Sequence, residues 1–320
     1  MQQFNLIVLD DAVSSSHVDG RAFIGGDLIG GEYAGHSSST PASAYAGLTV
    51  LGNATGVAVN GLGATVQGTL QGATINSGAG MVRGDASNVN FNGSDKSAVG
   101  GTATNVNFNG GQYTGTEATA AIDSAMATAT STDFASLFSR TASSVSQMLD
   151  TGGSVVISGN TVTFNAKAVD GVAVFDLCAI DTQVFNAGEF LFNLNGATTV
   201  IFNSDEVDID ISANFLGGAA VSLGSQLLWN FYNAETVDLF NQFGGSILAA
   251  TASLSNQGNI EGAVVVESLQ QYAEIHLQPF SGTLTEPVPE PATCVMMLAG
   301  LGLLGFRHSR RNRGETCLPD

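Results

Sequence analysis

Basic side chains are scarce in this chain of 320 residues. Nine Lys and Arg stand against 28 Asp and Glu, which gives a formal net charge of −19 at pH 7. Nucleic-acid affinity comes mostly from Lys and Arg on phosphates, so we exclude a nucleic-acid partner. Four of the nine basic residues form one C-terminal cluster: Arg307, Arg310, Arg311 and Arg313.

Cysteine is also scarce, with only Cys178, Cys294 and Cys317 in the chain. The last two lie in or beyond a C-terminal apolar run, so the main body holds Cys178 alone and no internal disulfide framework. A body of this size buries enough apolar surface to be stable without disulfides. We expect Cys178 to be a buried core thiol.

Charged residues make up only 12% of the chain and hydrophobic residues 44%. This composition is too apolar for a disordered protein, and 40 glycines argue against a helical one. We therefore predict a mostly β protein, with one domain over residues 1–284 and a separate C-terminal segment.

A Val-x-Gly unit recurs at spacings of 16, 16 and 17 residues, starting at Val50, Val66, Val82 and Val99. The seventh and ninth residues counted from each Val are apolar and flank a residue of variable type. This alternation predicts strands with one face inward. The apolar residues are Val57, Ala73, Val89 and Val106 at the seventh position, and Val59, Ile75, Phe91 and Phe108 at the ninth.

The tenth position of every unit is asparagine, followed by Gly or Ser: Asn60, Asn76, Asn92 and Asn109. Turn residues at a fixed phase of a short period predict a β-solenoid, parallel β-helix-like, with 16–17-residue coils. Like residues then stack about 4.8 Å apart, and asparagine amides hydrogen-bond along the axis. The alternative, an antiparallel meander, would place equivalent residues in mirrored order, so we favour the solenoid.

Glycine is absent from Thr116 to Thr151. Apolar residues recur there at helical spacing, which predicts a flanking α-helix, broken or capped around Ser131-Thr-Asp133. Short strands are expected to resume after Gly152, and Ile260–Val264 partly repeats the Val-x-Gly unit, which predicts a return to the solenoid. The expected strands are Ser154–Ile157, Thr161–Phe164, Gly171–Leu177, Phe190–Leu194 and Thr198–Phe202.

The C-terminus combines three physical features in order. A proline-rich stretch containing Val288, Pro289, Glu290 and Pro291 cannot pair as a strand or continue a helix. The apolar run Ala292–Phe306 predicts a transmembrane helix of about 22 Å, which is short for a hydrocarbon core of ~30 Å. The arginine cluster beginning at Arg307 would hold the C-terminus in the cytoplasm by the positive-inside rule.

This arrangement closely resembles the PEP-CTERM sorting signal of exopolysaccharide-producing Gram-negative bacteria, over residues 285–314 with a tail at 315–320. The resemblance implies an exosortase as partner, cleavage near Pro289-Glu290-Pro291, a transient stay in the inner membrane, and release to the envelope or extracellular matrix. A plain membrane anchor is the alternative. Met1–Asn5 has no basic start and Leu6–Leu9 is short for a signal-peptide core, so we expect an export leader upstream of this sequence.

Several sequence segments of the main domain resemble the choice-of-anchor A family, and they occur in the family's order from about Phe4 to Phe280. They include Val18-Asp-Gly-Arg-Ala-Phe-Ile-Gly-Gly-Asp27, Leu228-Trp-Asn-Phe231, Gly245-Ser-Ile-Leu-Ala249 and Glu274-Ile-His276. Ala250 departs from the family pattern, in which Pro is common there. The resemblance implies an adhesive domain that acts on a cell surface or an exopolysaccharide, and it assigns no catalytic residues.

Glu206, Asp208 and Asp210 are expected on one face of a strand, with Val207, Ile209 and Ile211 on the other. Their oxygens could attract calcium, but the spacing lacks the glycine and the distal bidentate Glu of a calcium loop. We favour a solvated acidic face and predict no metal site.

Asp10, Asp11, His17 and Asp19 could suggest acid/base chemistry of a polysaccharide-degrading solenoid enzyme. Too few basic residues accompany them to bind an acidic polysaccharide, so we predict no enzyme activity, no catalytic residues and no cofactor. His276 and Trp229 are expected to be structural, His276 at a strand edge and Trp229 in the core.

Ice binding is a further alternative, because regular threonine arrays on flat solenoid faces carry that activity. The outward eighth position holds Ala58, Thr74, Asn90 and Asn107, which is not a threonine ladder. The sequence therefore predicts first an exported, non-catalytic solenoid protein of the cell surface or matrix, sorted by an exosortase.

Overall fold

The repeat predicted from the sequence is a coil of three short strands. A computed structural model describes residues 1–284, and Met1–Thr283 form one unit of it. The first half of the chain contains β1 (Leu6–Val8), β2 (Ala12–Val18), β3 (Ala22–Ile24), β4 (Leu28–Tyr33), β5 (Leu48–Val50), β6 (Ala54–Thr55), β7 (Ala58–Val59), β8 (Ala64–Val66), β9 (Leu70–Gln71), β10 (Thr74–Ile75), β11 (Gly80–Val82), β12 (Ala86–Phe91), β13 (Ala98–Val99) and β14 (Ala103–Phe108).

The second half returns to the same architecture after two helices, α1 (Gly115–Ala129) and α2 (Phe134–Ser146). Two further short helices are α3 (Asp181–Phe185) and α4 (Ala219–Leu223), the latter preceded by a 3₁₀ turn at Leu216–Gly218. The strands are β15 (Ser154–Ser158), β16 (Thr161–Asn165), β17 (Val172–Asp176), β18 (Glu189–Asn193), β19 (Thr199–Ser204), β20 (Asp208–Ile211), β21 (Asn214–Phe215), β22 (Leu227–Phe231), β23 (Thr236–Leu239), β24 (Phe243–Gly244), β25 (Ser246–Asn256), β26 (Ile260–Glu261), β27 (Val264–Gln271) and β28 (Ile275–His276).

Equivalent strands of neighbouring coils pair in parallel, which confirms the solenoid and excludes the antiparallel meander. Face 1 consists, in spatial order, of β17, β19, β22, β25, β27, β1, β3, β5, β8, β11 and β13. Face 2 consists of β20, β23, β25, β27, β2, β4, β6, β9, β12 and β14. Face 3 consists of β24, β26, β28, β2, β4, β7, β10, β12 and β14.

Beside face 3, β15, β16, β18 and β21 form a four-stranded sheet of their own. Its β15–β16 pair is an antiparallel hairpin, whereas the other two pairs are parallel. The strands expected after Gly152 are all present, with ends shifted by one or two residues.

The predicted coil length holds in both halves, but not in every coil. Asn60 and Asn76 are 16 residues apart and Asn92 and Asn109 are 17 apart, as expected, and the paired Phe243 and Ile260 are also 17 apart. Longer coils separate the paired Ala22 and Leu48 by 26 residues and the paired Asn203 and Asn230 by 27. Insertions at the corners, such as the segment containing α4, lengthen the coils without changing their stacking, so a fixed sequence period does not reveal them.

The N-terminal coil lies in the middle of the stack rather than at one end. Leu6 in β1 pairs with Ala22 of the following coil on one side and with Val264 of the last coil on the other. We call the contact between residues 5–19 and residues 262–277 the seam. The buried Asn5 side chain crosses the seam, donating to the carbonyls of Gly262 and His276, which are 257 and 271 residues away.

The two long helices cover face 1, as the amphipathic pattern predicted. In α1 the residues Ile122 and Met126 are buried against the first half of the solenoid, and in α2 Phe134 packs edge-to-face against Phe23 with ring centroids 4.6 Å apart. The predicted break is present, because Asp133 caps α2 by accepting from the backbone N–H of Ser136 at 3.0 Å. Helix α2 continues over the second half, where Asn203 and Asn230 donate to its carbonyls.

No helix within residues 1–284 has both the length and the apolarity to cross a membrane. The predicted transmembrane segment Ala292–Phe306, the sorting motif at 288–291 and the arginine cluster lie outside the described residues.

The glycine of the Val-x-Gly unit is required by close packing of successive coils. A Cβ atom on Gly68 would lie 2.5 Å from the carbonyl oxygen of Gly52, and one on Gly84 would lie 2.5 Å from that of Gly68. Only a residue without a side chain allows the two backbones to approach this closely.

We expect Gly68→Ala to lower the free energy of unfolding by about 1–3 kcal/mol, because the added methyl group forces two coils apart. Gly35→Ala is the matched control, since a Cβ on Gly35 meets no atom within 4 Å. Urea unfolding followed by circular dichroism measures both. Equal midpoints for the two variants would show that the coils tolerate the methyl group.

Candidate functional site

The two long helices leave faces 2 and 3 uncovered, and in the part of the chain that the structure describes only the short helices α3, beside β20, and α4, beside β24, contact them. These two faces are therefore the candidate interaction surfaces. Outward positions of face 2 include Val13, Ile29 and Thr55, all exposed. None of the 28 strands within residues 1–284 contains Lys or Arg. Both faces are therefore neutral or acidic and rich in Ser, Thr, Asn and Gln.

Asparagine ladders run along face 3. Asn76 donates to Asn60 at 2.8 Å, and the chain of amides continues through Asn92 and Asn109 at 3.1 Å per step. This confirms the stacking predicted for the tenth position. Each amide satisfies its neighbour, which fixes the register of the coils along this face.

Two further asparagine pairs were not predicted. Asn105 donates to Asn88 and Asn107 donates to Asn90, each at 2.7 Å. Asn88 and Asn105 have φ of 54° and 53°, at a corner where the preceding coils have Gly56 and Gly72 with φ of 69° and 61°. Gly and Asn are the two residue types that best tolerate left-handed backbone, and the recurrence of either one at this position is the sequence signal for the corner.

A cluster of histidines and carboxylates lies at the seam beside face 3. His276 Nδ1 is 2.7 Å from Glu261 Oε1, and its Nε2 is 2.6 Å from Glu274 Oε2. The nearly buried Asp19 lies 3.2 Å from His36 Nδ1 and 3.8 Å from His17 Nε2, and His17 lies 3.5 Å from Glu274. We call these six residues the seam cluster.

The seam cluster contains buried carboxylates, and the chain has few Lys and Arg residues to neutralise their negative charge. Glu261 is 3% exposed and also accepts from the amides of Gln242 and Gln278. Burial lowers the pKa of His276, but its hydrogen bonds to Glu274 and Glu261 outweigh burial and leave that pKa raised above 6.5. The hydrogen bond from His276 lowers the pKa of Glu274 below 4.5. Both shifts favour the charged pair.

The structure separates the acid/base residues proposed from the sequence. His17 and Asp19 belong to the seam cluster, whereas Asp11 lies at another corner, where its carboxylate accepts from the backbone N–H of Asp27 at 2.7 Å. The prediction that His276 only closes a strand edge missed the cluster, because its partners come from distant coils. Trp229 is fully buried, as expected, and donates to the carbonyl of Gly244.

The expected position of Cys178 was wrong. Strand β17 ends at Asp176, so Cys178 lies in the following loop, where it is half-buried 3.3 Å from the Tyr232 hydroxyl. Burial, followed by the hydrogen bond with Asp176, raises the pKa of this thiol to about 11. The thiol therefore stays protonated at neutral pH.

Asp208 and Asp210 point outward on face 2, as predicted, but Glu206 precedes the strand and accepts from Thr182. Val207 is 41% exposed instead of facing inward, because the strand begins only at Asp208. Within residues 1–284 no group of His, Cys, Asp or Glu side chains is arranged to hold a metal ion.

Comparison with protein families gives two matches. Residues 1–277 match the family described as an ice-binding-like adhesive domain, and residues 287–311 match the PEP-CTERM protein-sorting motif. The motif is a substrate signal for exosortase processing, so the protein is exported across the membrane toward the envelope or exterior. The resemblance to choice-of-anchor A proteins stays a prediction. Comparison with curated proteins gave no match, and comparison with solved structures gave none.

The pH dependence of stability follows from the seam cluster. The raised pKa of His276 means that its contribution is complete below pH 6.5 and is lost as pH rises through the folded-state pKa. The lowered pKa of Glu274 means that its contribution is present above 4.5 and is lost as pH falls through its folded-state pKa. We expect the highest urea midpoint between those two values.

In His276→Gln the decline of the urea midpoint from pH 6 to pH 8 should disappear. His36→Gln is the comparison, because the His36 side chain is 65% exposed and has a single partner. It should keep most of the decline. A wild-type midpoint that does not change over this pH range would show that His276 is not coupled to folding.

Proposed function

Because this chain belongs to the ice-binding-like adhesive domain family and carries a PEP-CTERM motif, we propose that it is an extracellular adhesion protein of the cell surface or matrix. It acts by binding and not by catalysis. An exosortase removes the C-terminal segment near Pro289-Glu290-Pro291, after a transient stay in the inner membrane. The released domain then associates with the cell surface or exopolysaccharide.

The observation that carries this proposal is the pair of faces that α1 and α2 leave uncovered, whose strands contain no Lys or Arg. A parallel solenoid offers a rigid, extended surface, because each coil is fixed by hydrogen bonds to two neighbours. Ten strands of face 2 at about 4.8 Å give a surface of roughly 43 Å in length. Such a surface suits contact with a polymer or a large solid better than enclosure of a small molecule.

A second candidate is ice binding, which the description of the family favours. The search of the sequence for a threonine ladder covered only the eighth position of each repeat, which lies on face 3. Face 2 has β-branched residues at outward positions of neighbouring coils, namely Val13, Ile29 and Thr55.

Processing at the sorting motif is tested with the full chain, preceded by an export leader, in an exosortase-bearing host. The wild-type protein should be cut near residue 290 and recovered outside the inner membrane. Combined Pro289→Ala, Glu290→Ala and Pro291→Ala should leave it uncut in the membrane fraction, whereas Thr285→Ala, outside the matched motif, should be cut normally. Intact-protein mass spectrometry gives the site. Normal cutting of the triple variant would show that processing does not require the motif.

Adhesion through face 2 is tested with beads coated with the exported protein and added to the producer's own matrix. Thr55→Lys on face 2 should reduce bead retention several-fold, while Ser144→Lys on the exposed side of α2 should not. If Thr55→Lys instead abolishes ice recrystallisation inhibition and leaves bead retention unchanged, ice binding replaces adhesion. Reducing ends released from the matrix would contradict a non-catalytic role.

A further inference from the structure

A hollow of about 420 Å³ opens at the corner between faces 2 and 3, beside the seam. Its lining includes Ser15, Ser16, His17, Gly31, Glu32 and Ala58. The donors and acceptors in this set are hydroxyls, one imidazole and one carboxylate. Such groups match the hydroxyls of a sugar.

The hollow exists because β2 has an irregular register against β4. Ser14 pairs with Gly30 and His17 pairs with Glu32, so Ser15 and Ser16 stand opposite Gly31 alone. Gly30 and Gly31 have φ of 74° and 88°, which side chains rarely adopt. A bulge of this kind turns side chains out of the regular sheet, and bulges are often found at functional sites.

An exposed aromatic residue, Tyr272, lies on the coil that borders Ser15 of the hollow. Tyr272 is 56% exposed, the most exposed aromatic ring within residues 1–284. Val13 pairs with Gln270 and Ser14 with Gln271, and Ser15 and Tyr272 are the next residues on these two neighbouring coils. The hydroxyl of Ser15 also donates to the carbonyl of Gln271.

Rigid support distinguishes Tyr272 from an aromatic ring on a loop. Gln271, directly before it, is fully buried, accepts from the hydroxyl of Ser14 at 2.7 Å, and donates to the carbonyls of His17 and Ala273 at 2.9 Å. The backbone beneath the ring is therefore held by both coils of the seam. A backbone that is already held in place loses little conformational entropy on binding.

The charge around the hollow selects the ligand. Glu32 lines it, Glu274 lies 3.5 Å from His17, and no Lys or Arg is among its lining residues. An acidic polysaccharide would meet uncompensated negative charge there, whereas a neutral one would meet hydrogen-bonding groups and an aromatic face. Sugar rings offer apolar C–H faces that stack on such a ring.

We infer that the hollow beside Tyr272 is a binding site for a neutral polysaccharide, with the ring as stacking platform and Ser15, Ser16 and Glu32 as hydrogen-bonding groups. This inference rests on the proposed adhesion function, for which it names the class of ligand and the position of the contact.

The test is affinity electrophoresis of the exported protein, as it is recovered outside the inner membrane, in native gels that contain dextran, laminarin, hydroxyethylcellulose or, as the acidic comparison, alginate. At least one neutral polymer should retard the wild-type protein. Tyr272→Ala should weaken that retardation about tenfold in dissociation constant, equivalent to one stacking contact. Tyr272→Phe should keep most of it, because the ring remains.

Two further variants separate the hollow from general surface effects. Ala58→Leu should also weaken retardation, because the larger side chain fills the hollow from its rim while Ala58 itself points away from the core. Phe240→Ala is the matched control and should bind normally, since this ring, 42% exposed, lies two coils from Tyr272 in the column of Phe240, Gln257 and Tyr272. Unfolding midpoints show that each variant is folded.

Retardation by alginate alone, by no neutral polymer, or equally in Tyr272→Ala and wild type would overturn the inference. Binding that depends on an added divalent cation and is lost in His17→Gln but kept in Tyr272→Ala would also overturn it, in favour of a cation site. Bead adhesion is measured on the same preparations. Adhesion without neutral-glycan binding removes this site and leaves the adhesion function, whereas glycan binding without adhesion does the reverse.

Discussion

The parallel pairing of β1 between β3 and β27 is the contact on which the rest of the structure depends. It joins residues 6–8 to residues 264–266, so the stack is continuous only when both halves are present. The entropy lost in closing so long a loop is recovered through buried pairing and through Asn5, which donates to the carbonyl of Gly262 across the seam and accepts from the backbone N–H of Gly20 on the other side.

The helices follow from the same constraint. The chain leaves the stack at β14 and must return to its opposite end, and two helices of 15 and 13 residues, together about 42 Å, nearly match face 1.

Local features of this fold were predictable from the sequence because they repeat or alternate. A sequence period marks the apolar positions of the coil, the Asn ladder and the two long helices. This period can be read without knowledge of distant contacts. The seam leaves none, since Leu6 and Val264 share no motif and meet only through the topology. Cys178 was misplaced for a different reason. Its apolar neighbours suggested that the strand continues, but the strand ends at Asp176, and beyond a strand the alternation of residues does not determine which side chains are buried. Corner insertions likewise hid the longer coils, such as those between Ala22 and Leu48 and between Asn203 and Asn230.

The seam cluster explains how so acidic a chain tolerates buried carboxylates. Asp19 and Glu261 are 5% and 3% exposed, and an unpaired charge at such a position is costly. Arg21, the buried cation nearby in sequence, donates instead to carbonyls of Gln3, Pro41, Tyr45 and Ala46, which fix the N-terminus and the segment after β4. His276 is therefore the counter-ion of Glu261 at the seam, and its raised pKa makes the charge of this pair depend on pH in a range where Lys or Arg would stay charged.

The position of the hollow beside this junction has a mechanical consequence. A ligand that binds Tyr272 contacts β27, which pairs with β25 on one side and with β1 and β2 on the other. Tension on the ligand would thus act on β25, β27, β1 and β2 together, which are joined by many parallel hydrogen bonds. A site on the segment between β4 and β5 would place the same tension on a loop with few such bonds. Under the proposed adhesion function, a contact at the seam is therefore the one least able to unfold the domain.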